Sequence, residues 1–337
     1  MKLTFPEIKL EVIDCLKKKL VPMVHGSAGI GKSAVMREIA EQFNLVLIDI
    51  RLSQYDVCDL NGFPRIKDDV ASYVPMDVFP TSEWKIPEGK NGWLLFLDEF
   101  NSASLSVQAG SYKLILDRMV GNEPLHEKVL MACAGNLLTD NAIVNRIGTA
   151  MQSRLVHFEQ VSDKDVFLNH AHKAGFDHRI SSFVEFRPDL LNKFSPNHND
   201  FTFPCERTWE FVSKIIEDFK VIPRRKLFSL AGAIGEGAAR EFYSFCEIYE
   251  ELPDLNEILR IPTKAEVPTE PSMLYAMTGC LGSIATKKNL TNLMKYIDRM
   301  PAEFQVITLR TMVKRDRDLL ACEAIKNWFN TTGQELI

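Results

Sequence analysis

Eight residues constrain this chain more than any others: GSAGIGKS at 26–33, which follows the apolar run Val21-Pro22-Met23-Val24 and leads straight into a stretch of helical periodicity. Glycines in a loop of this length let the backbone turn tightly and aim several amide N–H groups at one phosphate chain. The opening turn of the next helix adds the positive end of its dipole. Lys32 supplies a mobile cation for β- and γ-phosphates, and the Ser33 hydroxyl is a ligand for Mg²⁺. The pattern G-x4-G-K-[ST] arises by chance in a chain of this length about once in a hundred. A structural glycine turn is the competing reading. The strand-before, helix-after context favours a nucleotide site made of Gly26, Ser27, Ala28, Gly29, Ile30, Gly31, Lys32, Ser33 and Ala34.

The rest of the first half supports an α/β domain. Helical periodicity covers 5–20, 34–43 and 104–119, and buried-type strand runs cover 45–50, 93–97, 128–134 and 155–158. Such alternation implies a parallel sheet with helices on both faces. Gly121-Asn122 reads as the tip of a hairpin. After about residue 160 the strand signals fade. Helices are expected at 164–173, ended by Gly175, then at 207–219, at 238–250 and from Met273 onward; 261–271, with three prolines, reads as an extended connector. The expected domains are therefore 1–160, α/β and nucleotide-binding; 161–255, helical; and 256–337, connector and helical C-terminal region.

The net charge of −5 argues against a generally basic nucleic-acid binder. No apolar run approaches the ~20 residues that span a bilayer. Charges interrupt MKLTFPEIKLEVID too early for a signal peptide. Seven scattered cysteines with no C-x2-C pair read as free thiols of a reducing cytosol, so a cytoplasmic protein without membrane insertion is expected. His170, His172 and His178 lack a Cys or carboxylate at ligand spacing and read as solvated helix residues.

Four further elements complete a candidate site. The strand Trp93-Leu94-Leu95-Phe96-Leu97 ends in Asp98 and Glu99. The first acid suits Mg²⁺ through its water shell, the second suits a water aimed at a γ-phosphate; alone, the pair is simply an acidic strand end. Met131-Ala132-Cys133-Ala134-Gly135 ends in Asn136, whose amide can sense a γ-phosphate or merely form a turn. Arg146 and Arg154 are either surface ion-pair residues or cations presented to a neighbouring subunit's nucleotide. Arg207 opens a helix in the α-rich half, from which reaching a γ-phosphate and packing on an aromatic ring are both open.

The order GSAGIGKS, LLFLDEF, ACAGN, QSRLVHF and ERTWE resembles the AAA+ ATPases of the MoxR branch, and RLSQYDVCDLNGFP, RPDLLNKFSP and RMPAEFQVITLR extend the likeness over nearly the whole chain. The resemblance implies a P-loop core with a five-stranded parallel sheet, an all-α lid and a helical C-terminal region. It also implies a ring, usually hexameric, with ATP and Mg²⁺ between subunits. By that carry-over Lys32 and Ser33 hold phosphate and Mg²⁺, Asp98 supports the metal and Glu99 activates water. Asn136 is then the sensor, Arg154 the arginine finger, Arg207 the lid sensor, and the 121–122 hairpin faces the pore. Family members often carry Pro-Arg where this chain has Glu206-Arg207, with Pro204 displaced.

The implied function is ATP hydrolysis that remodels or activates a partner protein, commonly one with a von Willebrand factor A domain on a separate chain. A motor acting on nucleic acid is the first alternative, but the 119–127 hairpin offers Glu123, Glu127 and only His126 to a phosphate backbone. The runs Pro223-Arg224-Arg225-Lys226 and Lys287-Lys288 are short and read as solvated helix ends. An ATP-gated scaffold with little hydrolysis is the second, and the intact set Lys32, Asp98, Glu99, Asn136 and Arg154 argues against it. No N-K-x-D guanine reader, G-x-S-x-G elbow or H-E-x-x-H helix is present.

Overall fold

The computed structural model describes residues 2–140, 144–195 and 200–331. One compact unit spans Met1–Asp163 with Ser195–His198; the other spans Lys164–Phe194 and Asn199–Ile337. The first runs β1 (Lys2–Leu3), α1 (Phe5–Lys17), β2 (Pro22–His25), α2 (Lys32–Gln42), β3 (Val46–Arg51), α3 (Val57–Asn61), β4 (Phe63–Lys67) and β5 (Val70–Val74). It continues with β6 (Trp93–Asp98), α4 (Leu105–Leu116), β7 (Met119–Val120), β8 (Glu123–Pro124), β9 (Val129–Gly135), α5 (Thr149–Gln152) and β10 (Val156–Gln160).

A six-stranded sheet in the order β1-β10-β2-β9-β6-β3, parallel at every pairing, forms the centre. Its strands bury both faces because their apolar runs alternate between two helical layers. Leu94, Phe96, Ala132 and Ala134 pack with Ile8, Val12, Leu16, Val35, Met36 and Ile39 of α1 and α2. Trp93, Leu95, Leu97, Met131 and Cys133 point the other way, against Val107, Leu114 and Ile115 of α4.

The sequence led us to expect five strands, and the sixth is β1, whose two residues pair with Glu159 and Gln160. Two residues are too few to leave a periodic signal. The hairpin β4–β5 is likewise an addition. Its strands are joined by Asp68 and Asp69, both at positive φ (51° and 59°). An Asp-Asp pair fills the two left-handed positions where Asn-Gly is the usual cue. Phe63, Ile66, Val70 and Tyr73 remain exposed, so no one-sided alternation marks the strands. The expected hairpin around Gly121-Asn122 is present as β7–β8, with Met119 opposite Pro124.

In the second unit the described residues form helices and loops: α6 (Lys164–Lys173), α7 (His178–Phe186), α8 (Glu206–Ile216), α9 (Leu227–Ile234), α10 (Glu236–Glu247), α11 (Leu255–Arg260), α12 (Pro271–Ile284), α13 (Leu290–Ile297), α14 (Ala302–Arg315) and α15 (Glu323–Asn330). One core gathers Phe183, Trp209 and Phe242, another Met277, Tyr296, Leu319 and Trp328. Helix α12 packs on both α7 and α14. The proline-rich 261–271 connector contains neither helix nor strand before Pro271 begins α12. No helix among the described residues is long and apolar enough to cross a membrane.

One expectation fails here. His172 and His178 are half-buried rather than fully solvated, both lining a small cavity with Ser181, Ser182, Glu185 and Thr278, while His170 is exposed as expected. Burial, reinforced by Lys314 and Arg315, pushes His172 down to about 4. Burial also lowers His178, against the opposing pull of Asp177. Above the ordinary histidine value near 6.5 these rings are neutral both folded and unfolded. As pH falls below it, the unfolded chain takes up protons that the folded chain refuses, so stability falls toward pH 4. The thermal midpoint should therefore drop as pH is lowered through this window, and His172→Gln should flatten the slope. A slope unchanged by that substitution, measured by scanning fluorimetry, would place the ring in water.

Candidate functional site

The carboxyl ends of β2, β9, β6 and β3 lie side by side on one edge of the sheet, which is where open parallel sheets bind ligands. From β2 the chain enters the glycine loop, with Gly29 and Gly31 at φ of 82° and 92°. Gly31 caps α2, and no side chain satisfies the first amides of that helix. Those N–H groups face the loop without an intrahelical acceptor. Gly26 leaves little room for a side chain: an added Cβ would displace Ile30 Cδ1 and crowd the Gln160 carbonyl at 3.0 Å. The buried Gln160 braces the loop from β10, its Nε2 donating to the Ile30 carbonyl at 2.8 Å.

Lys32 is only 9% exposed. Its Nζ donates to the carbonyls of Gly26 (2.6 Å) and Ser27 (2.9 Å) and to Asn136 Oδ1 (3.1 Å). Beside it, Ser33 Oγ donates to Asp98 Oδ2 at 2.7 Å. The structure thus brings together Lys32, Ser33, Asp98 and Asn136 from three strand ends. Glu99 completes the group in a left-handed backbone conformation, φ 54°, while its amide donates to Asp98 Oδ1 at 2.8 Å. Its Oε2 accepts from the Ser53 hydroxyl, just past β3. Asp49 on β3 lies above the ordinary carboxylate range, through partial burial first and then the negative charge of Asp98.

Asn136 is held in turn by Asn101: the Asn101 Nδ2 donates to the Asn136 carbonyl at 2.7 Å, and its Oδ1 accepts from the Asn136 amide at 3.1 Å. Sequence reading singled out none of Ser53, Asn101 and Gln160. Polar residues in turns and at the last position of a strand carry no motif spacing; the only cue was the position of Asn101 two residues after Glu99.

Of the three arginines singled out in the sequence, Arg154 and Arg146 make no hydrogen bond to this group among the described residues. Arg154 is half-buried, with Nη1 donating to the Ala150 carbonyl and the guanidinium 5.5 Å from the Tyr112 ring centre. Its Nε is buried without an acceptor. Arg146 is exposed, and Arg207 is exposed on the first turn of α8, in the other unit. The aromatic packing considered for Arg207 is absent among the described residues. His25, the last residue of β2, meets His157 of β10, Nε2 to Nδ1 at 2.9 Å, with rings stacked.

Among the described residues no group of three or more His, Cys, Asp and Glu side chains is placed to hold a metal ion. A cation here would rest on Ser33, Asp98 and ligands brought by a bound molecule, the usual condition for Mg²⁺.

No family model and no curated protein matches the chain. Among solved structures, the crystal structure of NtrX from Brucella abortus is 12% identical over 96% of this chain and 68% of that one, with a TM-score of 0.33. Likeness at that level bears on neither fold nor function.

A side chain at Gly31 would be forced into the left-handed region, at about 1–2 kcal/mol for an L-residue. Gly31→Ala should lower the thermal midpoint by several degrees, since about 1 kcal/mol shifts a domain of this size by roughly 2–4 °C. An unchanged midpoint would mean that the loop does not turn as described.

Proposed function

We propose that this chain is a Mg²⁺-dependent ATP hydrolase of the MoxR branch of AAA+ proteins, working at the subunit interfaces of a ring, hexameric by resemblance, to remodel or activate a partner protein. The observation that carries the proposal is the joining of the glycine loop to two other strand ends: Lys32 to Asn136 after β9, and Ser33 to Asp98 at the end of β6, with Glu99 beside it. The strand order β10-β2-β9-β6-β3 is consistent with the five-stranded core of that family, with β1 added at one edge. The helical second unit would then supply the lid.

The donor set fits the nucleotide and its metal. An ammonium gripped by three oxygens, uncapped helix amides and a hydroxyl–carboxylate pair are groups that exchange their internal partners for phosphate oxygens and a hard cation. Gly26, Ser27, Ala28, Gly29, Ile30, Gly31 and Ala34 would present backbone to the phosphates, and Ser33 and Asp98 would hold Mg²⁺. When bound, ATP with Mg²⁺ supplies an electrophilic γ-phosphoryl group whose charge is partly neutralised. Glu99 orients the attacking water once its carboxylate leaves Ser53, and Asn136 aligns that water against the phosphate side. Arg154, with one donor nitrogen unpaired, is suited to a neighbouring subunit's nucleotide, with Arg146 close to it in sequence. Arg207 is the proposed lid contact.

A protein substrate, or a separate chain with a von Willebrand factor A domain, is the proposed partner. Exposed Glu123 next to the Gly121-Asn122 turn weighs against a nucleic-acid substrate. The seven unpaired cysteines suit the cytoplasm.

Turnover per subunit should rise with protein concentration as neighbouring chains meet. Arg154→Ala should remove it by about 10³-fold or more while leaving ATP bound, and Glu99→Gln should bind ATP without turning it over. Turnover that is flat with concentration and indifferent to Arg154 would sink the shared-site reading. Normal turnover by Glu99→Gln would sink the role of Glu99.

A further inference from the structure

We propose that Asn101 is a positioning residue for the hydrolytic step, acting by holding the main chain of Asn136; this rests on the ATPase reading above. Asn101 is 2% exposed and lies in the short turn that follows Glu99. Its amide group binds both main-chain groups of one residue, donating from Nδ2 to the Asn136 carbonyl (2.7 Å) and accepting at Oδ1 from the Asn136 amide (3.1 Å). A side chain thereby does what a neighbouring strand would do, just as β9 stops. The approach is so close that Gly135 admits no side chain: an added Cβ would overlap Asn101 Oδ1 and Cγ.

Two consequences follow for the site. With its peptide fixed on both sides, Asn136 has only side-chain torsions left, which is how its Oδ1 stays 3.1 Å from Lys32 Nζ. Because Asn101 is two residues from Glu99, one side chain also sets the separation of the acid and the amide that must meet the same water. The Asn101 carbonyl further accepts from the Asn145 amide (2.6 Å), and Asn145 Nδ2 donates to the Ala103 carbonyl (2.9 Å), so the segment bearing Arg146 hangs from the same turn. Both polar atoms of the Asn101 amide are engaged with the main chain of Asn136, which separates its role from those of Glu99 and Asn136.

The test is a double-mutant cycle on the full chain, read as ATP turnover, binding of a fluorescent ATP analogue and thermal midpoint. Asn101→Asp keeps size and acceptor but turns a carboxylate oxygen toward the Asn136 carbonyl. Asn101→Ala removes both bonds. Each should lower kcat by on the order of tenfold to a hundredfold through misplacement of Asn136, while KM and analogue binding move by less than about threefold. In an Asn136→Ala background the Asn101→Asp change should cost less than about twofold, because the residue it positions is gone. An equal loss in both backgrounds, or a raised KM with kcat unchanged, would overturn the inference and leave Asn101 a packing residue. If Asn101→Ala does not fold, the isosteric Asp variant decides alone. Wild-type protein that binds the analogue but never turns ATP over would sink the ATPase reading itself, and this inference with it; wild-type turnover with an additive cycle sinks only the role of Asn101.

Discussion

A buried ammonium group on a glycine loop is costly unless every proton finds an oxygen, and the site is organised around meeting that condition for Lys32. Two of its acceptors are carbonyls of the loop itself, from Gly26 and Ser27, so the loop curls around its own cation. The third is Asn136 Oδ1, contributed by a different strand. The loop can therefore close only where β9 runs beside β2, and this pairing is set by the registers Met23 to Cys133 and Val24 to Ala134. Replacing these internal acceptors with phosphate oxygens would keep the charge compensated. It would also release Asn136, so that occupancy of the loop is felt one strand away.

That strand is stiff because the sheet is buried on both faces. Each of β2, β6 and β9 sends alternate side chains into two separate cores, so a strand cannot slide without exchanging one apolar set for the other. Rigid strand ends let short polar links carry the precision: Ser33 to Asp98, Ser53 to Glu99, Asn101 to Asn136, Gln160 to Ile30.

The sheet's five longer strands were legible in the sequence because they are continuous apolar runs ending on turn-forming or charged residues. The residues brought together at the strand ends were legible because the loop pattern has few other uses, and beside it the acidic strand end and Asn136 take on a meaning that neither has alone. What escaped had a different physical character. Helix α7 hides its pattern because it buries Arg179, paired with Asp177 at 2.6 Å, and two serines, so its inner face does not read as apolar. The hairpin β4–β5 exposes apolar residues and so shows no inward face. Ser53 and Asn101 act on partners 46 and 35 residues away, and a polar residue in a turn gives no hint of so distant a bond.

Strand order also sorts the charges. Lys32 stands at the end of β2, Asp98 and Glu99 at the end of β6, with Asp49 on β3 beyond them; β9 lies between and contributes only the neutral amide of Asn136. On the β2 side, near Lys32, stands the pair His25 and His157. The Gln152 carbonyl can only accept, so His157 Nε2 donates to it at 3.1 Å, while His157 Nδ1 lies 2.9 Å from His25 Nε2. Burial, the His157 ring and the Lys32 charge together drive His25 down to about 4. His25 thus adds no positive charge at the base of the loop at neutral pH. On the proposed reading, phosphate oxygens are drawn toward β2 and a divalent cation toward β6, and the scissile bond falls beneath the one strand that brings no charge. An amide serves there better than an ion, because it can donate to a phosphate oxygen and accept from water without favouring either side of the divide.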